Sequence, residues 1–271
     1  MNGVDFRTAL RNRRRVYGTC VLSPGPMWPP VVARAGLDFV FIDTEHNALG
    51  RQTVSWMCRA YGAAGLATIV RTPAPDPYQA SMALDGGADA VLAPYIETPE
   101  QVRALRGAVQ LRPLKGERME RGLDDVAALG PETSRYLEER NAGRSLLINI
   151  ESVPGIERLD EILAAGGVDG VIVGPHDLTV NLGVPEQYHH PRFEEAVLRI
   201  VETCARRGVS MGVHAFWDSM AQQIEWAKAG ANLILHSADL LLFHRALCGD
   251  LVQLKRALGD EAADDGSAAP V

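Results

Sequence analysis

Two acidic signatures, Asn149-Ile150-Glu151 and Gly174-Pro175-His176-Asp177-Leu178, each end a short apolar run in a chain of 271 residues. Apolar runs joined by a stretch of helical period read as strand, helix, strand. Parallel strands then carry both carboxylates to one C-terminal edge. Two carboxylates on one rim suit a hard divalent cation (Mg²⁺, Mn²⁺ or Co²⁺) that keeps positions open for water and substrate. A rim carboxylate paired with an arginine is the plainer reading of either residue.

Other reactive side chains collect at the ends of similar runs: Asp43-Thr44-Glu45-His46, Arg71, His214 and His236. Arg71 offers a planar fork for a substrate carboxylate, or serves as a structural partner of Asp43 or Asp85. His46 exchanges protons near neutral pH and fits an acid/base role, against the alternative of a buried, hydrogen-bonded histidine. Asp85, in Leu84-Asp85-Gly86-Gly87-Ala88, either orients His46 or is a turn residue. His176, His214 and His236 are further candidates for touching substrate or a metal-bound water. The lysines, Lys115, Lys228 and Lys255, fall in a long loop and in helical stretches, never at a strand end. A Schiff base needs a lysine amine at the site, so electrophilic work falls to a metal.

The elements that must position these residues are short β-rich runs at 16–21, 39–43, 67–71, 90–94, 146–151, 170–174, 210–214 and 233–236. Helical stretches such as Phe193 to Ala205 and Met220 to Ala229 separate them, and Ala-Gly or Gly-Gly stops precede several strands. Eight strands alternating with helices predict a (β/α)8 TIM barrel over residues 1–258, as one domain with an N-terminal and a C-terminal helix. A doubly wound open sheet is the alternative, but Ser23-Pro24-Gly25-Pro26 matches its phosphate turn poorly. The long segment after the fourth strand, Arg112 to Glu132, is expected to be a loop on the catalytic rim. The stretch 259–271 is expected to be a disordered tail.

A net charge of −7 argues against nucleic acid as a partner, since phosphate contacts need a basic face. Cys20, Cys58, Cys204 and Cys248 have no zinc or redox spacing and read as thiols in a reducing cytosol. No signal-like segment or membrane-length apolar run is evident, so the expectation is a cytoplasmic enzyme acting on small molecules.

The motifs Asp43-x-Glu45-His46, Val70-Arg71, Leu84-Asp85-Gly86-Gly87-Ala88, Ile150-Glu151 and Gly174-Pro-x-Asp177-Leu178 with Leu182-Gly183, in this order, resemble the HpcH/HpaI aldolases. These are metal-dependent 2-oxo-acid aldolases of the phosphoenolpyruvate/pyruvate barrel superfamily. The resemblance implies Glu151 and Asp177 as metal ligands, Arg71 on the pyruvate carboxylate, and His46 with Asp85 as the acid/base pair. It implies supporting roles for Asp43 and Glu45, and substrate binding by Asn149, Gly174, His176 and Asp177. It also implies a homo-oligomer, a hexamer or trimer, that exchanges a C-terminal helix. The family usually has glutamine at Asn149, a small residue at His176 and a Gly-x-Asp pattern where His236-Ser237-Ala238-Asp239 stands. The expected reaction is cleavage of a 4-hydroxy-2-oxo acid to pyruvate, or a similar 2-oxo acid, and an aldehyde. A 2-oxo-acid decarboxylase, a citrate-lyase-β-like acyl-CoA lyase and a non-catalytic barrel are the alternatives.

Overall fold

The computed structural model describes residues 1–217 and 219–260. Within them, eight strands close into a parallel barrel in chain order, β1 (Val16–Cys20), β2 (Phe39–Asp43), β3 (Ala67–Arg71), β4 (Ala90–Ala93), β5 (Ser145–Ile150), β6 (Gly170–Val173), β7 (Ser210–Ala215) and β8 (Leu233–Ala238). This is the predicted TIM barrel, and the strand bounds agree to within two residues. Between β1 and β5 run helices α1 (Gly3–Arg11, ahead of β1), α2 (Trp28–Ala33), α3 (Arg51–Ala63), α4 (Pro77–Gly86), α5 (Pro99–Gln110), α6 (Gly116–Asp124) and α7 (Pro131–Asn141). The second half carries α8 (Val153–Glu157), α9 (Leu159–Ala164), α10 (Pro175–Asn181), α11 (Pro191–Arg207), α12 (Met220–Ala229) and α13 (Asp239–Leu258).

Side chains alternate across each strand, and the alternation sorts the core into two layers. Phe39, Phe41, Ile69, Leu92, Leu147, Ile172, Leu233 and Leu235 pack together inside the barrel. Val40, Ile42, Val70, Val91, Ile148, Ile150, Val171, Val173 and Val213 pack outward against the helices. The same parity sends Asp43, Arg71, Asn149, Glu151, Gly174 and His214 inward, at the C-terminal ends of five strands. Inward residues at that end of a barrel line its mouth.

Helix α11 shows how the outer layer is specified. Phe193, Ala196, Val197, Ile200, Val201 and Cys204 recur at three- and four-residue spacing and are buried, which is one helical face. His190 Nδ1 accepts from the Arg192 N–H at 3.1 Å, Pro191 fills the first turn, and Gly208 ends the helix at φ 68°. At the opposite end of the barrel α1 forms a plug. Its Asn2 cap accepts from Asp5 N–H at 2.9 Å, Phe6 meets Phe39 at 5.4 Å, and Ser210 Oγ donates to the Leu10 carbonyl at 2.7 Å. Burying Phe6 and Leu10 there contributes roughly 1.5–3 kcal/mol each.

The segment after the fourth strand is not the expected rim loop. Helix α5 runs back from the C-terminal end of β4, so the chain leaves it at the N-terminal face. There α6 lies against α5, with Arg103 pairing Glu120 at 3.2 Å and Asp124 at 2.9 Å. Helix α13 departs from the barrel: Asp239 is its one buried residue, while Phe243, Leu247, Leu251, Leu254 and Leu258 are exposed. The predicted disorder of the tail falls mostly on 261–271, outside the described residues. No helix among the described residues is long and apolar enough to cross a membrane.

Candidate active site

Strands β2 and β3 pair with Asp43 opposite Arg71. The carboxylate accepts from Arg71 Nε and Nη2, both at 2.8 Å, and Nη1 stands 3.0 Å from Glu45 Oε2. Burial pushes the Asp43 carboxyl up, but the Arg71 hydrogen bonds and charge outweigh it and hold it below its ordinary value. Burial likewise works against the Arg71 cation, and Asp43 and Glu45 more than restore it. Glu45 itself is raised, because burial outweighs the nearby Arg71. The supporting carboxylates thus fix the arginine of the mouth.

Glu151 follows β5, lies against Gly174 of the cavity wall and is 2 % exposed. Its Oε1 accepts from the Tyr95 backbone N–H at 2.7 Å, and its Oε2 is buried without a partner. Burial, joined by the charge of Asp177, pushes its carboxyl up to about 7 against the opposing Tyr95 hydrogen bond. Gly174 faces Glu151 so closely that a Cβ there would lie 1.8 Å from Oε2. Asp177 stands in the first turn of α10 and lines the same cavity. Asn149 donates to the Ile172 carbonyl at 3.0 Å while its Oδ1 is buried and unpartnered. Unpartnered buried oxygens are costly.

His46 lies on the rim with its side chain 63 % exposed, and Nε2 is 3.7 Å from Glu45 Oε2. His176 is exposed, with Nδ1 3.9 Å from Glu186. His214 points inward against Phe41, ring centroids 5.3 Å apart. Burial and the Arg71 charge push its imidazole down to about 4, which leaves it neutral.

Two expected placements are corrected. Asp85 sits in the last turn of α4, just before the Gly87 stop that leads into β4. It therefore lies at the N-terminal face, exposed and paired with Arg112, and within this chain it does not reach His46. The carboxylate beside His46 is Glu45. His236 points outward from β8, where its Nδ1 meets Gln223 Nε2 at 3.0 Å, because the inward parity of that strand belongs to Leu235 and Ser237.

Tyr95 escapes sequence reasoning. It holds a left-handed φ of 51°, unusual for a residue with a Cβ, and that conformation turns its N–H onto Glu151. No residue-type signal announces it. Leu22, Tyr188, Phe216 and Leu241, which join the polar groups in lining a cavity of about 890 Å³, escape it as well.

A family model described as HpcH/HpaI aldolase/citrate lyase matches residues 25–245, a span that contains every inward polar residue of the mouth. The chain belongs to this family. Two curated relatives of this HpcH/HpaI chain cover nearly all of it. A 2-keto-3-deoxy-L-rhamnonate aldolase of Salmonella typhi is 31% identical over 255 residues, 92% of each chain. A hydroxypyruvate/pyruvate aldolase of Sagittula stellata is 30% identical over 241 residues, 89% of this chain and 94% of the relative. Among solved structures, an HpcH/HpaI aldolase/citrate lyase family protein from Burkholderia cenocepacia superposes with a TM-score of 0.79 at 30% identity. That match spans 93% of this chain and 99% of the other.

Proposed function

We propose that this HpcH/HpaI chain is a divalent-metal-dependent aldolase, an aldehyde-lyase that reversibly cleaves a 4-hydroxy-2-oxo acid to pyruvate, or a similar 2-oxo acid, and an aldehyde. The observation that carries the reading is the buried, unpartnered Oε2 of Glu151, set beside Asp177 with Gly174 cleared of side chain in front of it. That pair fits a hard cation. Among the described residues no three His, Cys, Asp or Glu side chains cluster as a closed cage, which suits an open site completed by water and substrate. Glu151 and Asp177 would hold Mg²⁺, Mn²⁺ or Co²⁺, and the cation supplies Lewis-acid polarisation of the 2-oxo group when bound.

The chain's own residues do the rest. A guanidinium has five N–H donors; on Arg71 two of them go to Asp43, and Glu45 pairs with Nη1 by charge at 3.0 Å. The N–H groups left over on Arg71, which lines the cavity, orient the substrate carboxylate end together with the first-turn amides of α10 at His176 and Asp177, while Asn149 Oδ1 is an acceptor for a substrate hydroxyl. His46 at the rim takes the C4 hydroxyl proton, directly or through water. As C4 becomes an aldehyde, the C3–C4 electron pair passes into the 2-oxo acid fragment, and a proton returned to C3 yields the methyl group. In the reverse direction the same groups act in the opposite order.

The proposal extends to assembly and place. The exposed apolar face of α13 supports a homo-oligomer in which that helix packs on a second copy. The free cysteines, three of them buried, support a reducing, cytoplasmic setting. The first test is deuterium exchange at the pyruvate methyl group, followed by NMR with Mn²⁺ and with a chelator. Metal-dependent exchange that disappears in Glu151→Ala is the expected result. Exchange unchanged in that variant would overturn the reading.

A further inference from the structure

The cavity has two unlike arcs. The polar arc, at the ends of β2, β3, β5 and β6, presents Asp43, Arg71, Asn149 and Asp177, with Glu151 against Gly174 of the same wall. The other, around the ends of β7, β8, β1 and β2, presents Leu22, Phe41, Tyr188, Phe216, Ala238 and Leu241. Pyruvate is small and is accounted for by the polar arc. The apolar arc is left for whatever is joined to it.

That arc is rigid. Tyr188 stacks on Trp217 at 4.3 Å and 18°, and Phe216 stands edge-on to both, at 5.5 Å from each. Trp217 Nε1 donates to Gln222 Oε1, and Gln222 Nε2 donates to the Tyr188 carbonyl, both at 2.7 Å. A flat aromatic surface held from behind is a preformed contact for an apolar group. The imidazole on this side, His214, is neutral, because burial and Arg71 oppose its charge.

The charge around the cavity points the same way. Among the described residues lining it, Arg71 is the one permanent cation, and it already serves two carboxylates. Asp177 and Glu186 face the opening, and the two exposed histidines each stand beside a carboxylate, His46 by Glu45 and His176 by Glu186. A phosphate or carboxylate tail entering here would find like charge and no free guanidinium.

We propose that the acceptor of this enzyme is an uncharged aldehyde with an apolar substituent, aryl or branched alkyl, seated against Phe216, Tyr188 and Leu241. This rests on the aldolase reading and names its second substrate. Bond changes are those of the aldol step: C3 of the 2-oxo acid bonds the aldehyde carbon, and the aldehyde oxygen takes a proton to become the C4 hydroxyl.

The test uses the full-length Mn²⁺-loaded enzyme with pyruvate and four aldehydes: benzaldehyde, isobutyraldehyde, succinic semialdehyde and glyceraldehyde 3-phosphate. Methyl deuterium exchange is measured in parallel without aldehyde. The expected result is exchange, with kcat/KM for the two uncharged aldehydes roughly ten-fold or more above the anionic pair. Phe216→Ala should narrow that ratio and Phe216→Arg should invert it. Exchange with a preference for the anionic aldehydes would overturn this proposal and leave the aldolase reading standing. Absence of exchange, with Mn²⁺ bound, would overturn the aldolase reading and this proposal with it.

Discussion

Asp43 and Arg71 face one another across the β2–β3 pairing and share two hydrogen bonds of 2.8 Å, both side chains nearly out of solvent. Their worth is geometric more than energetic, since a buried pair largely repays its own desolvation. Removing one partner is another matter, because the other is left charged and dry. Arg71→Met should destabilise the protein by about 3 kcal/mol in urea unfolding and lower kcat/KM for aldol cleavage about 10³-fold. Arg71→Lys keeps the charge but not the fork, and should recover stability more than activity. Near-normal kcat/KM in either variant would remove Arg71 from the substrate.

Glu151 should tie stability to pH through its raised carboxyl. Its folded value of about 7 lies above the ordinary 4.5, so the folded metal-free protein holds this proton more firmly than the unfolded chain. The associated stability, up to about 3 kcal/mol, is present below pH 4.5 and is lost as pH rises through 7. Glu151→Gln, which never ionises, should therefore be the more stable metal-free protein at pH 8, while losing activity. Chelated wild type and variant with equal Tm values at pH 8 would contradict this.

His214 carries the opposite dependence. Its imidazole is pushed from 6.5 down to about 4, so the unfolded chain takes up this proton first. The stability it contributes is present above pH 6.5 and falls as pH drops through 4, by up to about 3 kcal/mol. His214→Leu should flatten the stability curve between those values, and thermal denaturation across pH 4–7 would show it.

Gly174→Ala tests the clearance in front of Glu151. The added methyl would lie 1.8 Å from Oε2, so the carboxylate must leave its position. Metal affinity measured by calorimetry should fall ten-fold or more, on the scale of displacing a metal ligand's support. Tyr95→Gly makes the useful contrast. It keeps the N–H on Glu151 while removing a strain of about 1 kcal/mol, so metal affinity should hold.

The outward face of α13 offers a test of assembly. Leu247 and Leu251 are exposed at 46% and 45% and lie one helical turn apart. Leu247→Asp combined with Leu251→Asp should shift the protein to monomer in sedimentation velocity, since an apolar interface does not bury an unpaired carboxylate. An unchanged sedimentation coefficient would remove α13 from the interface.

Much of this site is legible because strand ends and inward parity are written in residue types. Asp43, Arg71 and Glu151 each close an apolar run; Asp43 and Arg71 line the mouth as the alternation requires, and Glu151 lies against Gly174 of its wall. Parity also decides against His236, which falls one residue out of step with Leu233 and Leu235. Asp85 is deceptive for a related reason: it precedes Gly87, the stop of a helix running away from the mouth, so its charge is visible in the sequence while its end of the barrel is set by helix direction. Tyr95 cannot be read at all. Its contribution is a backbone N–H turned by a left-handed φ, and backbone donors have no letter in a sequence. The aromatic arc is equally silent, because Tyr188 and Phe216 come from different loops and meet only after the barrel closes.

The packed barrel interior and the plug made by Phe6 and Leu10 of α1 close the N-terminal face, so the cavity opens at the C-terminal mouth. The two cleavage products would therefore leave through the same mouth. On the proposed reading the 2-oxo acid, held by Arg71, would leave last and the aldehyde, seated on the apolar arc, first. In steady-state kinetics pyruvate would then combine with the free enzyme and compete with the substrate, while the aldehyde would inhibit in a non-competitive pattern.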